Sequence, residues 1–288
     1  MLKRVLKITG ATLLGLVILG LIGLHLIDFS HSPEEIDAAY AQAGYASVPF
    51  EVAIDGRVIR GTCAGDPEKP AIIFVHGSPG TWDNFLDLMT DPGLLAGAQL
   101  IAFDRPGFGE SRTGGVEPSL SKQAALVAAV INRFSPNKPA ILVGHSYGGP
   151  VIAQTAVDFP AKVAALVIIA GSLDPDLEEK FWFNHVAEWR LVNWAIPTDL
   201  VTSNREILAL KQELTTLEPR LAEVGLPVVL VHGRKDALVP YANMDYMKRA
   251  FRNAQITLVT DPDWGHFIPW EHPKAVRDAL LDLLEARE

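Results

Sequence analysis

The sequence predicts an α/β fold in which helices flank a mostly parallel central sheet and a helical cap is inserted. Five apolar runs are continuous rather than alternating, as in strands buried on both faces; they lie at residues 71–75, 100–103, 140–143, 165–169 and 228–231. Helical patterns separate these runs, which implies right-handed connections within one sheet. That alternation stops between residues 171 and 226, where only helical patterns remain.

Composition limits the classes of function that are expected. Of the 288 residues, 49% are hydrophobic, which is enough for one large buried core. The formal net charge is -9 and Lys and Arg are not clustered, so nucleic acid is not an expected partner. The single cysteine, Cys63, excludes an internal disulfide. The oligomeric state stays open.

The N-terminal part, residues 1–31, is predicted to anchor the chain in a membrane. Residues 8–27 contain no Asp, Glu, Lys or Arg, and a helix of that length, at about 1.5 Å per residue, spans roughly a 30 Å hydrocarbon core. Basic residues precede the run and acidic residues follow it, which places the rest of the chain on the extracytoplasmic side. The alternative is a cleaved signal ending at residues 39–41, but these lie far beyond the apolar run.

A connecting segment, residues 32–47, leads into the predicted core. Its helix begins with the capping-box pair Ser32 and Glu35 and can end at Gly44. A turn at residues 55–56 then joins two strand-like runs into a hairpin. The core is predicted over residues 48–171 and 226–288 and the cap over residues 172–225. Helical patterns predict helices at residues 82–95, 121–134, 150–159 and 241–251. A capping box at residues 203–206 predicts the start of another helix, and the last helix is predicted to begin at residue 273. A further strand is predicted at residues 256–259.

Residues 140–151 read AILVGHSYGGPV, which predicts a buried strand that turns sharply into a helix at Ser146. Such a turn strains the backbone of the serine and leaves room only for glycine two residues to either side, here Gly144 and Gly148. The pattern is that of a nucleophile elbow, which exposes the serine hydroxyl above the sheet.

Two further residues follow Ser146, each just after a strand-like run. A serine hydroxyl becomes a strong nucleophile when an imidazole accepts its proton, and that imidazole needs a carboxylate to fix its tautomer. His266 is the predicted base and Asp236 the predicted acid. Asp174 and Asp176 are the alternative acids, because they follow the preceding strand.

The motifs of residues 48–288 resemble those of the α/β-hydrolase-fold family, specifically a capped serine hydrolase. They read HGSPG at residues 76–80, DRPGFG at 104–109, GHSYGG at 144–149, GRKD at 233–236 and GHF at 265–267. The resemblance implies the fold, the triad and an oxyanion loop that contains Ser78. The backbone amides of Ser78 and Tyr147 are therefore predicted to stabilise the oxyanion.

A carboxylic ester with an apolar part is the predicted small-molecule substrate, cleaved through an acyl-enzyme on Ser146. The cap is rich in aromatic residues, and an aromatic pocket beneath it favours an apolar group, so Trp182, Trp189 and Phe267 are predicted to bind substrate. The alternative is that the cap aromatics only pack the cap onto the core. No histidine has metal-ligand spacing to another, so neither a metal nor another cofactor is expected.

Other activities use a similar constellation. Proline iminopeptidases share the oxyanion loop but carry a second glycine at the position of Ser78, and carbon–carbon bond hydrolases and perhydrolases use the same triad. The serine at position 146 excludes the aspartate chemistry of haloalkane dehalogenases and epoxide hydrolases. A catalytically silent binding member of the fold is the alternative outside enzyme chemistry, and the intact triad argues against it.

Overall fold

The computed structural model describes residue 23 and residues 30–287. Eight strands form one sheet: β1 (Val48–Ile54), β2 (Arg57–Ala64), β3 (Ala71–Val75), β4 (Gln99–Phe103), β5 (Ala140–His145), β6 (Val163–Ile169), β7 (Pro227–Gly233) and β8 (Gln255–Asp261). Their spatial order is β1-β2-β4-β3-β5-β6-β7-β8. The β1–β2 and β2–β4 pairs are antiparallel and the other neighbouring pairs are parallel. The predicted mostly parallel sheet is confirmed.

Helices flank both faces of this sheet. They are α1 (Pro33–Ala43), α2 (Leu86–Met89), α3 (Pro92–Gly97), α4 (Leu120–Phe134), α5 (Gly148–Asp158), α6 (Trp182–Ala187), α7 (Arg190–Asn193), α8 (Thr198–Leu217), α9 (Ala242–Ala250), α10 (Ile268–Glu271) and α11 (Pro273–Glu285). Short 3₁₀ helices lie at Trp82–Phe85, Gly109–Gly114, Pro160–Lys162, Pro175–Leu177 and Glu218–Glu223.

Every residue of β3 is buried, which explains why its sequence is continuously apolar. Ile73 and Val75 belong to the apolar cluster on one face of the sheet, whereas Ile72 and Phe74 belong to the cluster on the other face. Strand β8 lies at one edge of the sheet, and its residues are half-buried or exposed. The core therefore consists of two apolar layers, one on each side of the sheet.

The local signals in the first part of the chain form as predicted. The Ser32 hydroxyl accepts a hydrogen bond from the Glu35 amide at 3.2 Å, and the Ser32 amide donates to Glu35 Oε2 at 2.8 Å. Gly44 ends α1 with φ +75°. Asp55 and Gly56 both have positive φ, +49° and +74°, as a tight hairpin turn with matching twist requires.

Two helix predictions were wrong. Residues 82–95 do not form one helix but a 3₁₀ turn followed by α2 and the start of α3. Pro92 has no amide hydrogen to donate, so a helix cannot continue through it. Asp91 instead caps α3, because its side chain accepts a hydrogen bond from the Leu94 amide at 3.0 Å. The capping box at residues 203–206 does not start a helix, since α8 begins at Thr198 and contains all four of those residues. Ser203 and Glu206 are instead buried on its inner face.

The segment between β6 and β7 contains α6, α7 and α8 and no strand among its described residues. This agrees with a helical insertion, while the boundaries of the cap at residues 172 and 225 stay a prediction. Packing of the cap aromatics onto the core is wrong for the tryptophans, since Trp182, Trp189 and Trp194 are 77%, 63% and 78% exposed.

The predicted membrane anchor, residues 8–27, lies outside the described residues except for residue 23. Among the helices that the structure does describe, none combines the length and apolar character required to cross a membrane.

Candidate active site

Ser146 lies between the end of β5 and the start of α5. Its φ is +53°, a left-handed conformation that costs a non-glycine residue about 1–3 kcal/mol and persists only where the surroundings enforce it. The Ser146 amide donates to the Ile169 carbonyl at 2.9 Å, and its carbonyl accepts from the Gly149 amide at 3.0 Å. These bonds hold the strained turn between β5, β6 and α5.

Gly144 and Gly148 make that turn possible. A Cβ on Gly144 would lie 2.4 Å from the Gly148 carbonyl oxygen, and a Cβ on Gly148 would lie 2.1 Å from the Val75 carbonyl oxygen. Both distances are far shorter than any real contact. The strand, the turn and the neighbouring β3 can approach so closely only because both positions lack side chains.

His266 and Asp236 are hydrogen-bonded to each other. His266 Nδ1 lies 2.7 Å from Asp236 Oδ2, and the amides of Leu238 and Val239 donate to Asp236 Oδ1 at 2.9 and 2.7 Å. Burial by itself would raise the pKa of Asp236, but the His266 contact and the two amides outweigh it and hold that pKa below its ordinary value. The carboxylate therefore stays ionised and keeps the ring proton on Nδ1, which leaves Nε2 as the basic atom.

The alternative acids lie elsewhere. Asp174 and Asp176 flank the start of a 3₁₀ turn, where the Asp174 carboxylate accepts from the Asp176 amide at 3.0 Å. Both line a separate surface cleft together with Glu218 and Tyr246. Of the three candidates, only Asp236 contacts His266.

A second imidazole, His145, supports the pair without adding charge. His145 Nε2 donates to the His266 carbonyl at 3.1 Å. Burial, reinforced by the neighbouring His266, lowers the pKa of His145 to about 3. Since it stays neutral near pH 7, it places no positive charge beside the His266 ring. The other buried imidazoles also have structural partners: His76 Nε2 accepts from the Arg105 amide at 2.8 Å, and His232 Nε2 lies 3.0 Å from the Val239 carbonyl.

Ser146 and His266 face a common cavity of about 490 Å³. It is lined by Ser30, His31, Gly77, Ser78, Pro79, Asn84, His145, Ser146, Leu238, His266, Phe267 and Trp270. Of the predicted substrate-binding residues, Phe267 belongs to this lining and Trp182 and Trp189 do not. Contact of those two tryptophans with substrate stays a prediction.

Of the two predicted oxyanion donors, Ser78 lines the cavity together with Ser146, and Tyr147 follows Ser146 in the chain. Within residues 30–287, neither the Ser78 amide nor the Tyr147 amide donates a hydrogen bond to a protein acceptor. Ser78 lines the cavity and Tyr147 is not among its lining residues, so the stabilisation of an oxyanion by these two amides stays a prediction. The part of the chain that the structure describes contains no group of three or more His, Cys, Asp and Glu residues that could hold a metal ion.

Sequence reasoning missed two charged residues beside these donors. Arg105 lies in the DRPGFG motif and Glu206 in the predicted capping box, but neither pattern predicts a role for these two residues in the site. They form a buried ion pair behind the Ser78 loop. No local signal marked Glu206, because its neighbours one turn earlier on α8 are Thr202 and Ser203 rather than apolar residues.

The chain is similar to several known proteins. The family model described as the alpha/beta hydrolase fold matches residues 70–194 and 199–273. A dihydrolipoyllysine-residue acetyltransferase component of the acetoin cleaving system from Pseudomonas putida is 25% identical over 273 residues, covering 85% of this chain and 71% of the relative. A 2-hydroxy-6-oxononadienedioate/2-hydroxy-6-oxononatrienedioate hydrolase from Klebsiella pneumoniae is 26% identical over 258 residues, covering 75% and 87%. The solved structure of a membrane phospholipase A, described as a bacterial virulence factor, superposes with TM-score 0.68 at 20% identity, covering 96% and 98%.

Proposed function

Because the chain belongs to the α/β-hydrolase-fold family, we propose that it is a serine hydrolase that cleaves a carboxylic ester through an acyl-enzyme on Ser146. One observation carries the proposal: Ser146 is held in a strained turn and opens onto the same cavity as His266, whose Nδ1 is hydrogen-bonded to Asp236. This is the arrangement that nucleophilic acyl transfer needs.

In the first half-reaction, Ser146 Oγ attacks the ester carbonyl carbon while its proton passes to His266 Nε2. The carbonyl π electrons move to the oxygen, which forms a tetrahedral oxyanion. Collapse of this species breaks the bond to the alcohol oxygen, which takes the proton from His266 and leaves. In the second half-reaction, water activated by the same imidazole attacks the acyl group and releases the acid and Ser146.

Two charges develop during these steps, and each has a partner. The imidazolium of His266 is stabilised by the ionised Asp236 carboxylate at 2.7 Å. The oxyanion is stabilised by the amides of Ser78 and Tyr147, which act as fixed donors that need no reorganisation; one such donor contributes roughly 10²–10³-fold to kcat.

The character of the cavity supports an apolar substrate. Leu238, Phe267 and Trp270 line it, and Phe267 is 50% exposed. Each CH₂ group that these side chains remove from water contributes about 0.8 kcal/mol, which is roughly fourfold in kcat/KM. Among the described residues that line the cavity there is no Lys or Arg.

A series of p-nitrophenyl esters tests the proposal. We expect kcat/KM to rise several-fold as the acyl chain lengthens from two to about six carbons, and Ser146→Ala to remove both turnover and labelling by a fluorophosphonate. Phe267→Ala should flatten the chain-length dependence. Trp182→Ala and Trp189→Ala test the remaining substrate-binding predictions with the same series. Fluorophosphonate labelling of Ser146 without hydrolysis of any ester would contradict the proposal.

The second candidate is hydrolysis of a carbon–carbon bond, which the relative from Klebsiella pneumoniae favours at 26% identity. That protein is named for a dicarboxylate, and two carboxylates call for cationic partners. The described lining has no Lys or Arg to supply them, so ester hydrolysis remains the proposal. If the protein hydrolysed 2-hydroxy-6-oxononadienedioate faster than any p-nitrophenyl ester, carbon–carbon bond hydrolysis would replace ester hydrolysis as the proposed reaction.

A further inference from the structure

We propose that Arg105 and Glu206 form a positioning pair that holds the oxyanion loop in place and connects the helix α8 to catalysis. The inference rests on the proposed function, since it concerns the donors for the oxyanion. It concerns two residues that do not line the cavity and so act through the backbone of others.

Arg105 binds the oxyanion loop through its backbone carbonyls. Its Nε donates to the His76 carbonyl at 2.9 Å and its Nη2 to the Gly77 carbonyl at 2.7 Å, while its own amide donates to His76 Nε2 at 2.8 Å. These two residues immediately precede Ser78, whose amide is one of the proposed donors. The guanidinium therefore fixes the orientation of the peptides that lead into that amide.

The same guanidinium contacts the residue that carries the second donor. Arg105 Cζ lies 4.7 Å from the centre of the Tyr147 ring and 4.9 Å from that of Phe108. Both are within the range of a cation–π contact, which is strongest where water is excluded. One side chain thus touches both segments from which the oxyanion would receive hydrogen bonds.

Glu206 reaches this site from α8. Its Oε2 accepts from the Ser78 hydroxyl at 2.6 Å and from Arg105 Nη2 at 3.1 Å, and its Oε1 accepts from Gln123 Nε2 at 3.1 Å and from Arg105 Nη1. Gln123 Oε1 accepts the remaining donor of Arg105 at 2.9 Å. Arg105 and Glu206 are 1% and 0% exposed, so the charges are neutralised inside the protein.

This arrangement uses every N–H of the guanidinium: one donates to His76, two to Gly77 and Gln123, and two to Glu206. Lysine keeps the charge but has three donors on one atom and cannot reproduce the fork. A buried ion pair is also weak evidence for a purely stabilising role, because apolar replacements are often as stable. The contacts of Arg105 and Glu206 are directed at the oxyanion loop. A displacement of the loop by about 1 Å is enough to slow catalysis roughly 10²-fold.

The chain offers a matched control. Arg112 and Asp199 form another ion pair between the segment after β4 and α8, with Nη2 at 3.0 Å from both carboxylate oxygens. Arg112 is half-exposed and this pair does not touch the oxyanion loop. It shares the connection to α8 with Arg105 and Glu206 but lacks the contacts with His76, Gly77 and Ser78.

The test compares Arg105→Lys and Glu206→Gln with Arg112→Lys in the full chain. We expect Arg105→Lys to lower kcat on p-nitrophenyl hexanoate about 10- to 100-fold with KM changed less than about threefold, because a contact made in the transition state is weakened. The rate constant for fluorophosphonate labelling of Ser146 should fall in parallel, and Glu206→Gln should show a smaller loss. Arg112→Lys should stay within about twofold in both measurements.

Rates are expressed per active site after fluorophosphonate titration, so that unfolded protein does not count. If Arg105→Lys does not fold, Ser78→Ala provides the test, since it removes the hydrogen bond from the Ser78 hydroxyl to Glu206 and keeps the backbone amide of residue 78. We expect this variant to lose kcat several-fold. Folded variants with wild-type kcat and labelling rate would overturn the positioning role alone. A wild-type protein that is neither labelled nor active would overturn the proposed function, and the positioning role with it.

Discussion

At the scale of single residues, Asp236 and Asp174 differ in what their carboxylates contact. Asp236 is hydrogen-bonded to His266, whereas Asp174 caps a 3₁₀ turn in another cleft. We predict that Asp236→Asn lowers kcat by about 10⁴-fold, because the amide favours the wrong tautomer of the imidazole.

Asp174→Asn is the matched control for this prediction. It changes a carboxylate to the same amide in one of the positions that the sequence left open, and we expect kcat to change less than about threefold. Steady-state kinetics on one p-nitrophenyl ester compare the two variants. A severe loss in Asp174→Asn together with a mild one in Asp236→Asn would refute the assignment of the acid.

The neutral state of His145 makes the stability of the fold depend on pH. Burial lowers its pKa from 6.5 to about 3 in the folded protein, so below pH 6.5 the unfolded chain binds a proton that the folded chain does not. The contribution of His145 to the free energy of unfolding is therefore fully present above pH 6.5 and is lost as the pH falls toward 3. The slope approaches about 1.4 kcal/mol per pH unit.

We predict that His145→Gln reduces the loss of unfolding free energy between pH 7.5 and 5 by about 1–2 kcal/mol relative to the wild type. Urea unfolding at the two pH values measures it. Asp104 has the opposite effect on the pH dependence of stability. Burial raises the pKa of Asp104 to about 7, so its contribution to the free energy of unfolding is lost as the pH rises. Since Asp104 is present in both proteins, its effect cancels in the comparison. An identical pH dependence in both would show that His145 is not held neutral.

At the scale of secondary-structure elements, β3 to β7 were predictable because they are buried on both faces and so leave continuous apolar runs in the sequence, whereas β1 and β2 were predictable from the turn that joins them. Strand β8 shows the limit of that rule, since it is an edge strand with half-buried and exposed residues, and its predicted run at residues 256–259 includes a threonine. The elbow was predictable because steric exclusion at Gly144 and Gly148 leaves a local pattern.

Non-local contacts leave no such pattern. Arg105 and Glu206 are separated by 101 residues, and their pairing depends on where α8 packs rather than on any local spacing. The local motif at residues 203–206 was misleading, because a capping-box pattern inside a longer helix is overridden by the start of that helix after Pro197. The segment at residues 82–95 failed for a similar reason, since its apolar period continues through a proline.

We predict that Gly148→Ala destabilises the protein by at least about 2–3 kcal/mol or prevents folding, because the new methyl group would overlap the Val75 carbonyl at 2.1 Å. Gly225→Ala is the control, since a Cβ there meets nothing within 4 Å and its φ is not positive. The free energy of unfolding of Gly225→Ala should equal that of the wild type or exceed it by up to about 1 kcal/mol. Thermal or urea unfolding of the two variants measures the difference. Similar stabilities would mean that the elbow is less tightly enclosed than the structure indicates.

At the scale of the whole molecule, the resemblance to the α/β-hydrolase-fold family is confirmed by the family match and by the sheet topology. The reaction was less predictable from the sequence, because this fold supports many chemistries with the same three residues. The side chains that line the cavity come from distant parts of the chain, such as Ser30, Leu238 and Phe267, and meet only in the folded protein.

The attachment of the chain to a membrane remains our proposal, and the described residues add one argument to it. Ser30 and His31 line the cavity that contains Ser146, and the apolar run ends only three residues before Ser30, at residue 27. At about 3.5 Å per residue, so short a connection would place the cavity within roughly 10 Å of the end of a spanning segment. Cleavage after residue 41 would remove Ser30 and His31 and also Tyr40, which is buried in the core.

We therefore predict that the full chain is retained by membranes after a carbonate wash and keeps its N-terminal residues. A chain that starts at Ser30 should appear in the supernatant and hydrolyse dissolved p-nitrophenyl esters with unchanged kcat/KM, because Ser146, His266 and the cavity lining are all present in it. The same truncation should lower the rate on esters embedded in lipid vesicles, because the cavity is no longer held near the bilayer. Fractionation, mass spectrometry of the N-terminus and the two kinds of ester separate the possibilities. A mature N-terminus at Gln42, or release of the full chain by carbonate, would show that no anchor is retained.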